Sequence, residues 1–292
     1  MDQFSIKDIE NLSGIKAHTL RIWEQRYNLV IPRRKESNHR IYDNEDLKHI
    51  LRIAYLYNNG TKISKIAGLN KEELRLAIPV MDKPAHFLSQ LVEAALDFNE
   101  AKFEETLNGV ISQLGMEQAI VKVIYPYLEK VGLLWLSDAG IPAQEHFASY
   151  LIQRKLIYGI NKLPKVAPAS AELILLYTPE GEMHEIPLLF MQYLLKKNNR
   201  ATIYCGANVN LAALQDITGA RAVTHIYLHG ITGFVKPGVQ QYINSICNRF
   251  KKMQVIVSGP ISKEIASVPT NLALLTCLED QINFAKKLAL PR

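Results

Sequence analysis

The hydrophobic pattern of this chain changes character once, at residues 164–170, and that change limits the folds open to it. Between residues 86 and 163 the apolar side chains recur about every 3.6 residues, which predicts a bundle of four helices. The expected breaks between these helices fall near residues 98–99, 114–115 and 138–142. After residue 170, short apolar segments alternate with helical patterns, which predicts a doubly wound parallel sheet of the flavodoxin-like type. The five predicted strands are residues 172–177, 201–205, 225–228, 254–258 and 272–276.

A chain of 292 residues is long enough for two or three compact domains. We predict a multidomain α and α/β protein, with domains at residues 1–77, 80–165 and 170–292. No segment approaches the roughly 18 apolar residues of a membrane span, and the start MDQFSIKDIE has no signal-peptide core, so a cytoplasmic protein is expected. Cys205, Cys247 and Cys277 form no C-x-x-C pair, and buried thiols are expected in preference to disulfides or zinc.

The first domain has the punctuation of a winged helix-turn-helix. Residues 5–11, with Ser5 as N-cap, and residues 17–27 predict two helices separated by a tight turn at Ser13-Gly14. Ile31-Pro32 stops the second helix. The polar stretch that follows, residues 33–42, suits a β-hairpin wing.

Three further helices are predicted behind the wing. Asp43 or Asn44 caps the first, and the second follows Gly60-Thr61. Asn70, with Glu73 three residues later, gives the third helix a capping-box variant.

A local basic patch lies across the helix-turn-helix and the wing. It comprises Lys16, Arg21, Arg26, Arg33, Arg34, Lys35 and Arg40, opposed by Glu24 and Glu36. Such a cluster is typical of a surface that binds phosphates. The alternative is a solvated surface without a partner.

The segment from His18 to Leu47 resembles the MerR family of transcriptional regulators. That family has a T-[LI]-R-x-[YW]-E recognition helix and a wing that ends in R-x-Y, which read here as residues 19–24 and residues 40–42. The resemblance implies that this helix enters the major groove of double-stranded operator DNA while the wing contacts the neighbouring backbone. The residues implied in DNA binding are Lys16, His18, Thr19, Arg21, Arg26, Arg33, Arg34, Asn38, His39, Arg40 and Tyr42.

The helical pattern agrees with this assignment. On a helix that starts near Ala17, Leu20 and Trp23 face inward, whereas His18, Arg21 and Gln25 face outward. Arginine is the side chain best suited to bidentate contact with guanine. The alternative for Arg21 is a salt bridge to Glu24, and for Trp23 core packing is expected.

One histidine lies at the expected ligand site of the α/β domain. In open α/β sheets, ligands bind beyond the carboxyl ends of strands, where the strand order reverses. For an order of 2-1-3-4-5, that point is next to the loop at residues 178–185, which contains His184 but no G-x-G-x-x-G motif. Glu182 and Glu185 are close enough in sequence to orient the imidazole, as metal-bound histidines require. A surface histidine without a ligand is the alternative.

The bundle and the α/β domain together resemble the cobalamin-binding module of methionine synthases and of the CarH/LitR-like light-responsive MerR repressors. That module's D/E-x-H-x-x-G loop corresponds to residues 182–187, which implies that His184 is the lower axial cobalt ligand. A W-x9-E-H pattern on the bundle is matched by Trp135, Glu145 and His146. The resemblance implies that Trp135 packs against the upper adenosyl group of adenosylcobalamin, flanked by the other two.

The chain departs from this module at three places. Pro187 replaces a glycine, and the element that holds the nucleotide tail of the cofactor reads Leu228-His229-Gly230. The glycine pair after the fourth strand reads Ser258-Gly259, followed by Pro260. The residues implied in cofactor binding are Trp135, Glu145, His146, Glu182, His184, His229, Ser258 and Gly259.

Three functions are compatible with the sequence. The first is a cobalamin-responsive, light-sensitive repressor that binds its operator as a dimer or tetramer and competes with RNA polymerase. The second is a MerR-type regulator whose α/β domain is a degenerate sensor without a cofactor. The third is a cobalamin-dependent enzyme, which is disfavoured because no substrate domain or set of catalytic acids and bases remains once the three modules are assigned.

Overall fold

The computed structural model describes residues 3–34, 39–70, 73–74, 77, 84–135, 142–165, 172–232 and 238–288, without the side chains of residues 133–135. These form two compact units, Met1–Leu151 and Ile152–Arg292. The helix-turn-helix and most of the bundle belong to the first unit. The three-domain division therefore stays a prediction.

The N-terminal module folds as a winged helix-turn-helix, as the sequence predicts. Its elements are α1 (Ile6–Ser13), α2 (Ala17–Tyr27), the antiparallel wing strands β1 (Arg33–Arg34) and β2 (Arg40–Ile41), α3 (Asn44–Asn58) and α4 (Ile63–Ile66).

Local caps set the ends of these helices. Ser5 and Asp8 form a reciprocal capping box at α1, which ends at Gly14 in a left-handed conformation with φ of 73°. Asp43 and Asp46 form the same device at α3. These local bonds explain why the sequence placed the helix starts correctly.

Four helices follow, as expected. They are α5 (Pro84–Leu96), α6 (Glu100–Ala119), which continues through a π-helical turn at Ile120–Ile124 into α7 (Tyr125–Trp135), and α8 (Pro142–Asn161). The predicted break at residues 98–99 is the junction where Asn99 caps α6. The predicted break at residues 114–115 is a kink, because Gly115 has a φ of 73° inside α6.

The N-terminal module packs on the bundle through an apolar centre with an ionic rim. Leu47 of α3 lines a small cavity together with Val92 and Leu96 of α5. Beside it, the guanidinium of Arg52 donates to both carboxylate oxygens of Glu93, at 3.1 and 2.9 Å.

Two lysines complete the rim. Lys48 pairs with Asp97 at 2.9 Å. Lys130 of α7 donates to the carbonyl oxygen of Leu12 at 2.8 Å, and a cation at this end of α1 also complements the helix dipole.

The second unit is a doubly wound α/β fold. Its strands are β3 (Leu173–Pro179), β4 (Ala201–Val209), β5 (His225–His229), β6 (Gln254–Ser258) and β7 (Leu272–Leu275). All four pairings are parallel and the order is β4-β3-β5-β6-β7, which confirms the expected 2-1-3-4-5 topology. The helices are α9 (Ile186–Lys197), α10 (Leu211–Ala220), α11 (Val239–Arg249) and α12 (Leu278–Lys287), with a 3₁₀ turn at Pro260–Glu264.

The cysteines are free thiols, and one of them corrects the sequence interpretation. Cys247 is buried and Cys205 is half-buried, but Cys277 is exposed. Its position explains the exposure, because Cys277 is the N-cap of α12 and its Sγ accepts a hydrogen bond from the amide of Asp280. Among the described residues, no helix is both long and apolar enough to span a membrane.

The Arg52–Glu93 pair should contribute measurably to the stability of the first unit. Arg52→Met should lower its free energy of unfolding by about 1–3 kcal/mol, because the Glu93 carboxylate, only 10% exposed, keeps just the longer contact with Lys102 at 3.5 Å. Urea denaturation of Arg52→Met, Glu93→Gln and the double variant measures the coupling. Arg21→Met, at an exposed arginine, is the matched control. Additive losses would contradict the pairing.

Candidate functional site

The recognition helix α2 presents the side chains that the sequence placed outward. His18, Arg21 and Gln25 are exposed, whereas Leu20 and Trp23 are buried in the module. The Trp23 ring packs edge-on against Tyr57 with 4.9 Å between ring centroids, which confirms its core role. Of the other residues implied in DNA binding, Lys16, Arg26, Arg33, Arg34 and His39 are exposed and Thr19 is half-buried.

A carboxylate of the recognition helix braces the wing. Glu24 accepts two hydrogen bonds from the Arg40 guanidinium, at 2.6 and 3.3 Å, and lies 3.6 Å from Arg34. Its partners are therefore wing arginines, and the alternative pairing with Arg21 is not the one observed. The hydrogen bonds to Glu24 raise the pKa of Arg40. The two described wing strands are thus tied to α2 through Arg34 and Arg40.

One predicted DNA contact is buried, and another lies outside the described residues. Tyr42 lies inside the module, where its backbone pairs with Phe4 in an isolated β-bridge, and burial raises its pKa to about 12. Asn38 lies outside the described residues. Contact of either residue with DNA stays a prediction.

The carboxylate of Glu182 joins the loops that follow β3 and β5. Glu182 is 1% exposed, and its Oε2 accepts hydrogen bonds from the backbone amides of Ile231 and Thr232, both at 2.8 Å, and from the Thr232 hydroxyl at 3.0 Å. Strands β3 and β5 are neighbours at the point where the strand order reverses. The carboxylate therefore lies at the position where open α/β sheets bind ligands.

The other oxygen of Glu182 holds His184. It accepts from the backbone amide of His184 at 3.0 Å and pairs with the ring Nδ1 at 2.5 Å. Burial raises the pKa of Glu182, but the hydrogen bonds from His184, Thr232 and Ile231 outweigh it and lower the pKa to about 2. The carboxylate is consequently ionised near neutral pH, so Nδ1–H is the donor. The imidazole side chain itself is 48% exposed.

The loop before His184 is also held by Thr178 of β3 and Asn208 of β4. The Thr178 hydroxyl donates to the carbonyl oxygen of Glu182 at 2.6 Å, and the amide of Gly181 donates to the Asn208 side chain at 2.9 Å. Glu185 does not orient His184 as the sequence suggested. Its carboxylate instead accepts from the hydroxyl of Tyr204, a residue of β4, at 3.0 Å.

Pro187, the first departure from the module's pattern, has a structural explanation. It lies in the first turn of α9, where the missing amide proton breaks no helical hydrogen bond. The substitution of glycine by proline is therefore compatible with the loop that holds His184.

The other departures form a closed, buried chain of hydrogen bonds. The Tyr227 hydroxyl lies 2.6 Å from Ser258 Oγ, which lies 2.8 Å from His229 Nδ1. Gly259 has a φ of 85°, and a Cβ there would lie 2.4 Å from the Gly230 carbonyl oxygen. The predicted tail contacts His229, Ser258 and Gly259 thus pack against one another, and contact with a cofactor stays a prediction.

The W-x9-E-H pattern is described only in part. Trp135 ends α7, and its side chain lies outside the described residues. Glu145 and His146 lie in the first turns of α8, where the Glu145 carboxylate accepts from the Ser149 hydroxyl at 2.5 Å and lies 3.2 Å from His146 Nδ1. His146 is largely exposed.

Sequence reasoning missed the partners of Glu182. Thr232, Ile231 and Asn208 lie 26 to 50 positions away along the chain, and their roles follow from strand pairing. The described residues limit the kind of metal that the protein could bind. Among the described residues, no group of three or more histidine, cysteine, aspartate or glutamate side chains is arranged to hold a bare metal ion.

Comparison with known proteins matches the N-terminal module and the helical bundle to known families. The family model for MerR HTH family regulatory proteins matches residues 4–73, and that for the B12 binding domain matches residues 88–158. The HTH-type transcriptional repressor CarA of Myxococcus xanthus is 30% identical over 213 residues, which are 72% of this chain and 70% of CarA. The repressor CarH of the same organism is 26% identical over 196 residues, 64% of each protein, so the chain spans slightly less than two thirds of CarH.

A solved structure shares the fold. The monomethylamine corrinoid protein of Methanosarcina barkeri superposes with a TM-score of 0.51 at 13% identity, over 71% of this chain and all of that one. A winged helix-turn-helix followed by a B12 binding domain defines a class of MerR-type transcriptional regulators. This chain belongs to that class, in the family of the repressors CarA and CarH.

Burial of His229 should make the second unit acid-sensitive. Burial lowers the pKa of His229 to about 4, against an ordinary value of about 6.5. Between these values the unfolded chain binds a proton that the native state does not, so stability falls as the pH falls from about 6.5 to about 4. His229→Gln should reduce this slope by up to about 1.4 kcal/mol per pH unit.

Urea denaturation of the full chain across this pH range measures the slope. Ser258→Ala is the control, because it removes the hydrogen-bond partner but keeps the imidazole buried, and it should retain the slope. His86 and His225, whose pKa values burial also lowers, contribute to the remainder, and near pH 4 the Glu182 carboxylate contributes as well. Equal slopes for the wild type and His229→Gln would refute the assignment.

Proposed function

We propose that this protein is a transcriptional repressor whose operator binding is controlled by bound cobalamin, with adenosylcobalamin as the form it uses. The observation that carries the proposal is the pair of Glu182 and His184 at the strand-order reversal. It occurs in a chain whose recognition helix keeps Arg21 exposed. His184 has the chemistry of an axial cobalt ligand, and Arg21 has that of a side chain that contacts DNA bases.

The residues at the reversal point fit a corrinoid. A cobalt ion in a corrin ring already has four equatorial nitrogens, so one histidine suffices as the lower ligand. A carboxylate on Nδ1 fixes the tautomer in which Nε2 coordinates the metal, and it makes that nitrogen a stronger base. Glu182 has this position relative to His184. When bound, adenosylcobalamin supplies a cobalt–carbon bond that light can break.

The regulatory step that we propose is a change of oligomeric state. One module reads only a short half-site, so a dimer or tetramer on repeated half-sites binds far more tightly than a monomer. Loaded protein assembles on the operator and competes with RNA polymerase, and illumination reverses the assembly. Such a switch requires the ligand to favour the assembled state by a few kcal/mol. Trp135, Glu145 and His146 are the proposed contacts of the upper ligand.

A second candidate is a regulator whose α/β unit binds no cofactor. The buried chain of Tyr227, Ser258 and His229 favours it, because Ser258 and His229, to which the resemblance assigns the nucleotide tail, are bonded to each other. The named relatives CarA and CarH are transcriptional repressors. We therefore do not propose an enzyme.

His184→Ala should weaken cobalamin binding more than any other single change at the site. Glu182→Gln should weaken it by about 10–100-fold, the usual effect of losing the partner of a metal-bound histidine. Titration of the full chain with adenosylcobalamin in the dark, followed by visible spectroscopy, measures affinity and the lower ligand. Met183→Ala, at the exposed neighbour, is the matched control.

The same samples distinguish the two candidates. Sedimentation and operator binding, before and after illumination, should change with light in the wild type and not in His184→Ala. A wild type that takes up no cobalamin supports the cofactor-free regulator. Uptake with identical spectra in the wild type and His184→Ala would disprove the axial-ligand assignment alone.

DNA binding by the full chain should depend steeply on salt, because several basic side chains displace counterions. The log–log slope is about −0.9 for each phosphate contacted. Arg21→Ala should cost about 1–3 kcal/mol and relax specificity at one base pair. Binding to a panel of duplexes that each change one base pair measures this. Uniform weakening across the panel would make Arg21 a phosphate contact.

A further inference from the structure

The exposed face of α2 has chemistry beyond its arginine. His18, Arg21, Ile22 and Gln25 are spaced by three, one and three residues, so they lie along one face of the helix. All four are exposed. The face therefore combines an imidazole, a guanidinium, an aliphatic group and a carboxamide.

Ile22 is the unexpected member of this face. Its side chain is 49% exposed in the middle of a basic surface, flanked by Arg21 and by Arg26 at the next turn. A single exposed isoleucine is common on protein surfaces and needs no partner by itself. Its position matters here, because the surrounding cations are complementary to DNA phosphates and Gln25 lies one turn further along the same face.

In the major groove, the groups that suit Ile22 and Gln25 both belong to the same kind of base pair. The apolar group in the major groove is the 5-methyl of thymine, and glutamine forms bidentate hydrogen bonds with N6 and N7 of adenine. Both groups belong to the A·T pair. Side chains three residues apart on a helix have Cβ atoms about 5–6 Å apart, and base pairs stack about every 3.4 Å. Ile22 and Gln25 thus reach the same or a neighbouring pair.

We infer that Ile22 and Gln25 read an A·T element beside the base pair that Arg21 contacts, with Ile22 against a thymine methyl and Gln25 on adenine. The inference rests on the proposed function, in which α2 enters the major groove. It assigns sequence selectivity to two side chains that the basic patch does not include. The half-site that α2 reads accordingly contains both G·C and A·T pairs.

Chemically modified DNA tests the inference directly. The full chain is first used to select a duplex from a random-sequence library. Each thymine of the selected site is then replaced by deoxyuridine, which lacks the methyl group, and each adenine by 7-deazaadenine, which lacks N7. At one thymine, the wild type should lose about fourfold in affinity, the worth of one buried methyl group. Ile22→Ala should bind the thymine and uracil duplexes equally.

Gln25→Ala should show the corresponding behaviour toward adenine. Its affinity for the selected duplex should fall by about 5- to 150-fold. Replacement of adenine by 7-deazaadenine at the contacted position should no longer change its affinity. Ile157→Ala is the matched control, since Ile157 is 47% exposed on α8 and lies outside the recognition helix. It should bind every duplex as the wild type does.

The outcomes separate this inference from the proposed function. A wild type that selects no sequence refutes both. A wild type that selects a site but is insensitive to every uracil and deazaadenine refutes the A·T reading and leaves the regulator intact. Uracil sensitivity that survives in Ile22→Ala shows that another residue contacts the methyl group, and it also overturns the assignment.

Discussion

The ligand end of this protein depends on one buried carboxylate. An ionised Glu182 without partners would be costly in the interior, because desolvation of a charge is repaid only by close hydrogen bonds and opposite charge. The chain supplies these from two places: His184 in the loop after β3, and the amides of Ile231 and Thr232 in the loop after β5. The two loops must therefore meet at the strand-order reversal. The imidazole is oriented as a consequence of satisfying that charge.

In the DNA-binding module a carboxylate also orients its neighbours, with fewer hydrogen bonds. Glu24 is only partly exposed. Its carboxylate pairs with the guanidinium groups of Arg40 and Arg34, both of which lie in the wing strands. The pairing fixes the wing relative to α2 and leaves Arg21 outside the ion pair. In both places a carboxylate orients a neighbouring side chain that we propose as a ligand contact: His184 beside Glu182 and Arg40 beside Glu24. Such preorganisation reduces the entropy that binding must offset.

Local chemistry explains which features the sequence could predict. The helix starts at Ser5 and Asp43 follow from capping boxes whose partners are three positions apart, and the parallel α/β sheet follows from alternating strands and helices. Contacts between distant segments were not predictable in this way. The partner of Glu185 is Tyr204, 19 positions away, so sequence proximity wrongly suggested His184.

The same limit applies to the departures from the cobalamin module. His229 and Ser258 lie on adjacent strands, and only their register, with His229 opposite Ser258, shows that the two substitutions bond to each other. In the sequence alone, each of the two substitutions looks like added bulk near the nucleotide tail of the cofactor. Read together, they are a pair that satisfies its own buried polar groups.

The seam between the N-terminal module and the bundle bears on how a ligand could change DNA binding. Opening it would expose Leu47 and its apolar neighbours and separate Arg52 from Glu93, whose carboxylate is nearly buried. The apolar contacts and the ion pair both join α3 to α5. Separation of these two helices would therefore break both at once. A ligand can shift an equilibrium only by its difference in affinity between the two states. Assembly of intact first units would avoid this cost, and the change of oligomeric state that we propose is consistent with it.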